Sequence, residues 1–276
     1  MKIIIKIIRV KDFILNIYNV LRFIRILAVE KISLIAMTNK ILYREFIYTL
    51  YANNLSSKDR LLILIHCFGF INKIFDIKII NDLKDSKNYI LLSDDLTNTY
   101  KITLSIVSHT AEGIFRLKYL YKDKYLFEFG FLIAPGKLFN ILDKDVILIC
   151  KMQLVKGNTV LYRDALSENA RSTPQRQLFY AIIGIAKKMN INTIISVDAQ
   201  NQISYEKDIS SFHSTYNVFM ETFEGVERVN KFYFLKLPYT EKPTKSSHGR
   251  GKREKREFNR QITIAACLSL DDLVSI

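Results

Sequence analysis

Residues 172–197 read Ser-Thr-Pro-Gln-Arg-Gln-Leu-Phe-Tyr-Ala-Ile-Ile-Gly-Ile-Ala-Lys-Lys-Met-Asn-Ile-Asn-Thr-Ile-Ile-Ser-Val. Pro174 suits the first helical position, and Leu178, Ile182, Ile185 and Met189 then recur at helical spacing. Asn190 suits a closing residue. The stretch therefore predicts a helix over Gln175–Met189 followed by a buried strand, Thr193–Val197. Upstream, Val146–Met152 is an apolar run short enough for a central strand, and Thr159–Glu168 reads as a short helix. Together these segments make a strand–helix–strand unit.

Outward from that unit, Tyr89–Ser93, Tyr100–Val107, Ile114–Tyr121 and Lys124–Ile133 alternate or run rich in strand formers, and Lys122-Asp123 suits a hairpin turn. Four such segments in sequence predict an antiparallel meander. Downstream, Ser210–Phe223 reads as a helix, Lys231–Leu237 as a strand stopped by Pro238, and Thr240–Gly251 as a polar loop. Residues 252–270 suit a last helix with a charged first half and an apolar second half. Up to Lys73 the pattern is helical, with Ser57 as the cap of a segment from Lys58. The expected fold is α+β (α/β): a helical N-terminal region (1–75), a mixed, largely antiparallel sheet with flanking helices (76–240), and a basic linker with a C-terminal helix (241–276).

The 276 residues are 49% hydrophobic and 25% charged with 9 Gly and 4 Pro, which excludes a disordered or collagen-like chain. Cys67, Cys150 and Cys267 form no Cys-x-x-Cys pair, and His66, His109, His213 and His248 show no metal-ligand spacing. That argues against a disulfide scaffold and against a metal site. His66 reads as a hydrogen-bonded core histidine and Cys150 as a small core residue. Charge-free runs reach 12 residues, as in Leu61–Asn72, short of the roughly 20 that a membrane-spanning helix needs. Lys6, Arg9 and Lys11 interrupt any signal-peptide core, so a cytoplasmic location is expected.

The net charge of +14 is concentrated at the ends, with +5 in residues 1–25 and +6 in residues 242–260. Basic ends on a nearly neutral body suit an anionic partner such as lipid headgroups, nucleic acid or an acidic envelope component. A biased Ile, Lys and Asn composition accounts for the same excess without any partner. Residues 1–25 alternate apolar and basic side chains, which suits either helix-on-helix packing or an amphipathic helix lying on an anionic membrane. Lys252-Arg253-Glu254-Lys255-Arg256-Glu257 mixes signs at helical spacing and reads most simply as a solvated helix. No nucleic-acid reading motif accompanies it.

Ser172-Thr173-Pro174-Gln175-Arg176 combines a hydroxyl cap, proline at the first helical position and free backbone N–H groups behind it. Phosphate can sit at such a helix start, with Arg171 and Arg176 adding charge, although an ordinary capped helix has the same residues. Polar residues Asp198, Gln200, Asn201 and Tyr205 follow the strand that ends at Val197, where an open sheet places chemistry or simply a turn. The order of meander, strand, anion-capable helix start, long helix and strand resembles that of the GNAT acyltransferases, without their glycine-rich phosphate turn. That resemblance implies an acyl-CoA or aminoacyl donor held by Arg171, Ser172, Thr173, Gln175 and Arg176. It also implies Tyr205 as general acid and Asp198 as base or orienter. The strands flanking the helix would splay apart and leave a gap lined by bare amides.

A second resemblance runs from about Ile41 to Arg260. Leu55-Ser56-Ser57-Lys58-Asp59-Arg60 leads to His66, followed by Glu112-Gly113-Ile114-Phe115-Arg116-Leu117, Ile149-Cys150-Lys151-Met152-Gln153, then Arg163 and Pro174. Met189-Asn190-Ile191-Asn192-Thr193-Ile194, Ser196-Val197-Asp198 to Tyr205, Tyr216-Asn217-Val218-Phe219-Met220 and the arginines between Ser246 and Arg256 continue the series. In this colinear order they resemble the VirK/YbjX family of bacterial proteins. The resemblance implies a cytoplasmic, virulence-linked protein supporting envelope integrity and resistance to cationic antimicrobial peptides, peripheral to the inner membrane if the basic ends bind lipid. It implies no particular reaction, and both an enzyme and a non-catalytic basic adaptor fit it.

Overall fold

The structure, a computed structural model, describes Leu21 and residues 51–76, 79–80, 83, 89–93, 99–107, 112–155, 157–168, 172–205, 212–239 and 249–271. Apart from Leu21, the expected helices before residue 51, the amphipathic start among them, lie outside the described residues, as does the polar segment 240–248. Helix α1 (Ser57–Ile74) begins one residue earlier than the sequence suggests. Its cap is Ser56, whose Oγ accepts from Asp59 N–H (3.1 Å) while Asp59 Oδ2 accepts from Ser56 N–H (3.2 Å). This capping box satisfies two backbone donors reciprocally, which Ser57 has no acidic partner to do.

Eight strands form one sheet: β1 (Tyr89–Ser93), β2 (Tyr100–Ile106), β3 (Phe115–Tyr121), β4 (Lys124–Pro135), β5 (Asp145–Leu154), β6 (Thr193–Val197), β7 (Glu227–Val229) and β8 (Phe232–Lys236). Their spatial order is β1-β2-β3-β4-β5-β6-β8-β7, antiparallel throughout except for β5 beside β6. The meander is thus as expected, and Lys122 and Asp123 turn the β3–β4 hairpin with φ of 49° and 57°. Positive φ at both turn residues matches the right-handed twist of the strands. The three-residue β7 carries exposed side chains and has no hydrophobic signature in the sequence.

Between β5 and β6 run α2 (Thr159–Glu168) and α3 (Pro174–Lys188). Asn190 closes the end of α3 with φ of 54°. Leu117 opposite Phe129 and Tyr119 opposite Phe127 build one apolar face of the sheet. Phe129 meets Phe219 edge-on, and Phe219 meets Phe179 of α3 at 5.6 Å. The expected helix at 210–223 is described from Phe212 and is wound as a π-helix over His213–Val218 before a last turn, Phe219–Glu221. The wider winding lets the successive residues Tyr216 and Asn217 both face inward.

The C-terminal helix α4 (Gly249–Leu268) lies against α3. At the crossing, a Cβ on Gly184 would fall 2.4 Å from Thr263 O and 2.9 Å from Ala266 Cβ, so the two backbones meet where one side chain is missing. Ser172 Oγ donating to Asn259 Oδ1 (2.8 Å) and Lys188 Nζ paired with Asp271 Oδ1 (2.5 Å) flank that contact. Among the described residues, no helix is long and apolar enough to cross a membrane. Gly184→Val is expected to lower stability by about 1–3 kcal/mol through overpacking, read as the urea midpoint at constant m-value.

His66 of α1 donates from Nε2 to Asp145 Oδ1 at 2.7 Å, joining α1 to the start of β5. Burial lowers its pKa from 6.5, Lys144 and Lys137 push the same way, and Asp145 opposes them. A histidine that binds its proton more weakly when folded contributes full stability above its unfolded value of 6.5, and that contribution is lost as pH falls from there through the lowered folded value. The urea midpoint is therefore expected to drop on acidification from neutral pH, and His66→Gln to flatten that segment of the profile.

Candidate functional site

Strands β5 and β6 pair over three positions: Ile147 with Ile194, Leu148 with Ile195 and Ile149 with Ser196. Beyond them β5 continues to Leu154, whereas β6 stops at Val197 and the chain turns away. The strands therefore part as the sequence suggests, but the mouth is not lined by bare amides. Met152 N–H donates to Tyr216 Oη at 2.9 Å, so a side chain of the protein itself occupies the gap. Tyr216 is fully buried. Burial pushes its hydroxyl pKa far above the ordinary value, and it stays protonated at neutral pH.

The α3 start adjoins this gap. Thr173 caps the helix by accepting from Arg176 N–H (3.2 Å), and Gln175 Nε2 reaches Thr215 O (2.7 Å) and Met152 Sδ (3.4 Å). Arg176 donates to Thr222 Oγ1 (2.7 Å) and lies over the Phe223 ring at 4.7 Å. Ser172 is buried and spends its hydroxyl on Asn259, so it ties α3 to α4. Arg171 lies outside the described residues. A cavity of about 450 Å³ opens here, lined by Thr173, Gln175 and Arg176 and by Lys252, Lys255 and Arg256 of α4, with Val218 and Phe219 as its apolar wall.

Asp198 and Tyr205 do not line that cavity. Asp198 is fully buried: Oδ1 accepts from Asn201 N–H (2.8 Å) and Oδ2 from Arg228 Nη2 (2.7 Å). Its carboxylate caps a turn and pairs with a cation. The same loop is tied to the α1 approach, where Asn54 N–H donates to Asn201 Oδ1 and Asn53 Nδ2 to Gln202 O, both at 2.8 Å. Tyr205 is half-buried and edge-on to Phe212 (5.9 Å), which stacks on Tyr216 (6.0 Å).

A charged chain crosses the opposite side of β3, β4 and β5. Arg116 Nη1 donates to Glu128 Oε1 (2.8 Å), Lys151 Nζ bridges Glu128 (2.5 Å) and Glu112 (3.0 Å), and Gln202 Nε2 donates to Glu112 (2.8 Å). Burial pushes the Glu128 carboxyl up, yet Arg116, Lys151 and Tyr125 together hold it below the ordinary value. Two glycines make this possible. Gly113 has φ of 119°, and a Cβ on Gly130 would fall 2.1 Å from Glu112 O, so the Glu112 turn sits flat on β4.

A family model described as a protein of unknown function, DUF535, matches residues 13–261. The chain belongs to the DUF535 family. This is the family of the VirK/YbjX proteins. No curated protein matches the chain.

In this DUF535 chain the motif residues at 112–117 and 149–153 meet in the buried charge chain, while those at 216–220 close the gap. Lys252, Arg253, Glu254 and Glu257 are exposed, as the solvated-helix reading expects, and Lys252 with the half-buried Lys255 and Arg256 also lines the cavity. The apolar second half of α4 and Gly184 were the available signals. Lys151→Met leaves the half-buried Glu112 and the buried Glu128 without their shared cation, Glu128 keeping Arg116, and is expected to cost about 2–4 kcal/mol in chemical denaturation. Adding Glu112→Gln to that variant is expected to recover part of the loss.

Proposed function

We propose that this DUF535 protein is a VirK-like virulence-associated protein that transfers an acyl or aminoacyl group from a phosphate-bearing donor such as acyl-CoA. The observation that carries the reading is the cavity at the α3 start, which sets four cations beside the point where β5 leaves β6. Phosphate on the donor would meet Arg176 and the α4 cations, and Gln175 links that end to Met152 in the gap. The hydroxyl placed to orient the donor by a hydrogen bond there is that of Tyr216, since Tyr205 stands one aromatic ring away, across Phe212. A donor chain running along β5 would exchange the Met152–Tyr216 hydrogen bond for its own. The family match and the VirK/YbjX resemblance support a role in envelope integrity and antimicrobial-peptide resistance, from the cytoplasmic side of the inner membrane.

The competing reading is a non-catalytic adaptor binding an anionic membrane or, failing that, nucleic acid through its basic ends. It is favoured by the exposure of Lys252 and Arg253 on α4. Thermal shift with acetyl-CoA and free CoA separates the two. The transfer reading predicts a rise of about 5 °C at a ligand concentration near a hundredfold over Kd, lost in Arg176→Ala. Tyr216→Phe is expected to keep binding and slow transfer. Absence of any shift with both CoA forms, together with sedimentation on anionic vesicles, would overturn it in favour of the adaptor.

A further inference from the structure

The loop between β4 and β5 holds an apolar side chain out in solvent. Gly136 N–H donates to Lys144 O (3.1 Å), Ile141 N–H donates to Gly136 O (3.1 Å), and Asn140 turns the chain with φ of 58°. A Cβ on Gly136 would collide with Asp143 O, so the two arms of the loop close on bare backbone. Thr193 Oγ1 donates to Asp143 Oδ2 and Phe139 meets Phe232 edge-on at 5.2 Å, which fastens the loop to β6 and β8. Leu138, Phe139 and Ile141 pack against the core with part of their surface left in solvent, and Leu142 beside them is completely exposed. A lone exposed leucine is ordinary, but one that extends an apolar loop fixed at both arms is a continuous apolar point.

Lys137 and Lys144 flank this point and are exposed. Lys236 is exposed too. It pairs with Thr193 and, four residues after Phe232 on β8, shares the side of the sheet on which the loop lies. The carboxylates of the same stretch are engaged by neighbours, Asp143 by Thr193 and Asp145 by His66.

We infer that loop 136–144 docks this protein on an anionic lipid bilayer, with Leu142 entering the boundary of the acyl chains and Lys137, Lys144 and Lys236 among the headgroups. A bilayer closes around a protruding side chain, whereas a protein partner needs a matching face of about 800 Å². The lysines select anionic over neutral lipid. This surface is separate from the basic half of α4. The start of α3 lines the cavity beside those α4 cations, while its end leads into Thr193 at the loop, and its 15 residues set the two about 22 Å apart. The inference does not depend on the transfer reading.

The chain contains no tryptophan, so Leu142→Trp places a single reporter at the tip. The full chain is mixed with vesicles of phosphatidylcholine alone and of phosphatidylcholine and phosphatidylglycerol in equal parts. Emission of Leu142→Trp is expected to move to shorter wavelength on the anionic vesicles only, and to be quenched by lipids brominated on their acyl chains. Leu142→Asp and the double variant Lys137→Ala/Lys144→Ala are each expected to weaken sedimentation with the anionic vesicles about tenfold or more, at an unchanged melting temperature. Sedimentation with unaltered tryptophan emission would put the contact elsewhere, as at the basic ends, and overturn the inference. So would absence of sedimentation, equal binding to both vesicle types, or a blue shift that needs no vesicles and grows with protein concentration, the mark of a second copy seated on the tip. None of these outcomes alters CoA binding, so the transfer reading stands or falls by its own test.

Discussion

The arrangement depends on how briefly β5 and β6 run side by side. Three parallel pairs hold the two strands together, and no more. Because parallel neighbours need a crossover, α2 and α3 must pass over the sheet between them, which delivers the capped start of α3 to the place where the strands separate. A longer ladder would satisfy the β5 amides with backbone partners. A short one leaves Met152 N–H in need of an acceptor, and Tyr216 supplies it from the helix that follows β6. The π-winding around Tyr216 belongs to the same solution, since Asn217 beside it accepts from Ala199 N–H at 2.8 Å.

The second constraint is the absence of a side chain at Gly184. It lets α4 approach α3 closely enough for Thr263 and Ala266 to fill the crossing, and the rest of α4 follows rigidly from there. At one end Ser269 accepts on its carbonyl from Tyr89 Oη (2.8 Å), tying the helix to β1. At the other end the cations arrive at the cavity. The same logic of missing side chains operates at Gly113 and Gly130, where backbone contact brings the Glu112 carboxylate to Lys151. Polar side chains in this chain are placed by close backbone approaches.

That placement explains what the sequence could and could not convey. Local signals read well: β1, β6 and α2 have the expected limits, Lys122-Asp123 makes the turn, Asn190 closes α3 and Thr173 caps it. Each depends on residues within one turn or one strand. Ser57 suits a cap as well as Ser56 by residue type, and Asp59 at capping-box spacing decides for Ser56. The rest is long-range. Nothing adjacent to Asp198 announces that Arg228 will claim its carboxylate, and nothing near Tyr216 announces a vacant amide on β5. The α4 cations look solvated until the packing of the apolar half is known. Arg171 and, apart from Leu21, residues 1–25 lie outside the described residues.

The proposed donor site joins the α3 start to the first half of α4 beside the strand gap. Hydrogen–deuterium exchange with and without acyl-CoA reads it most directly. Slowed exchange is expected in peptides covering 173–177 and 252–256 together, accompanied by a change over 212–221 as the Tyr216 contact is exchanged. Protection confined to α4, or none in either segment at saturating ligand, would contradict it.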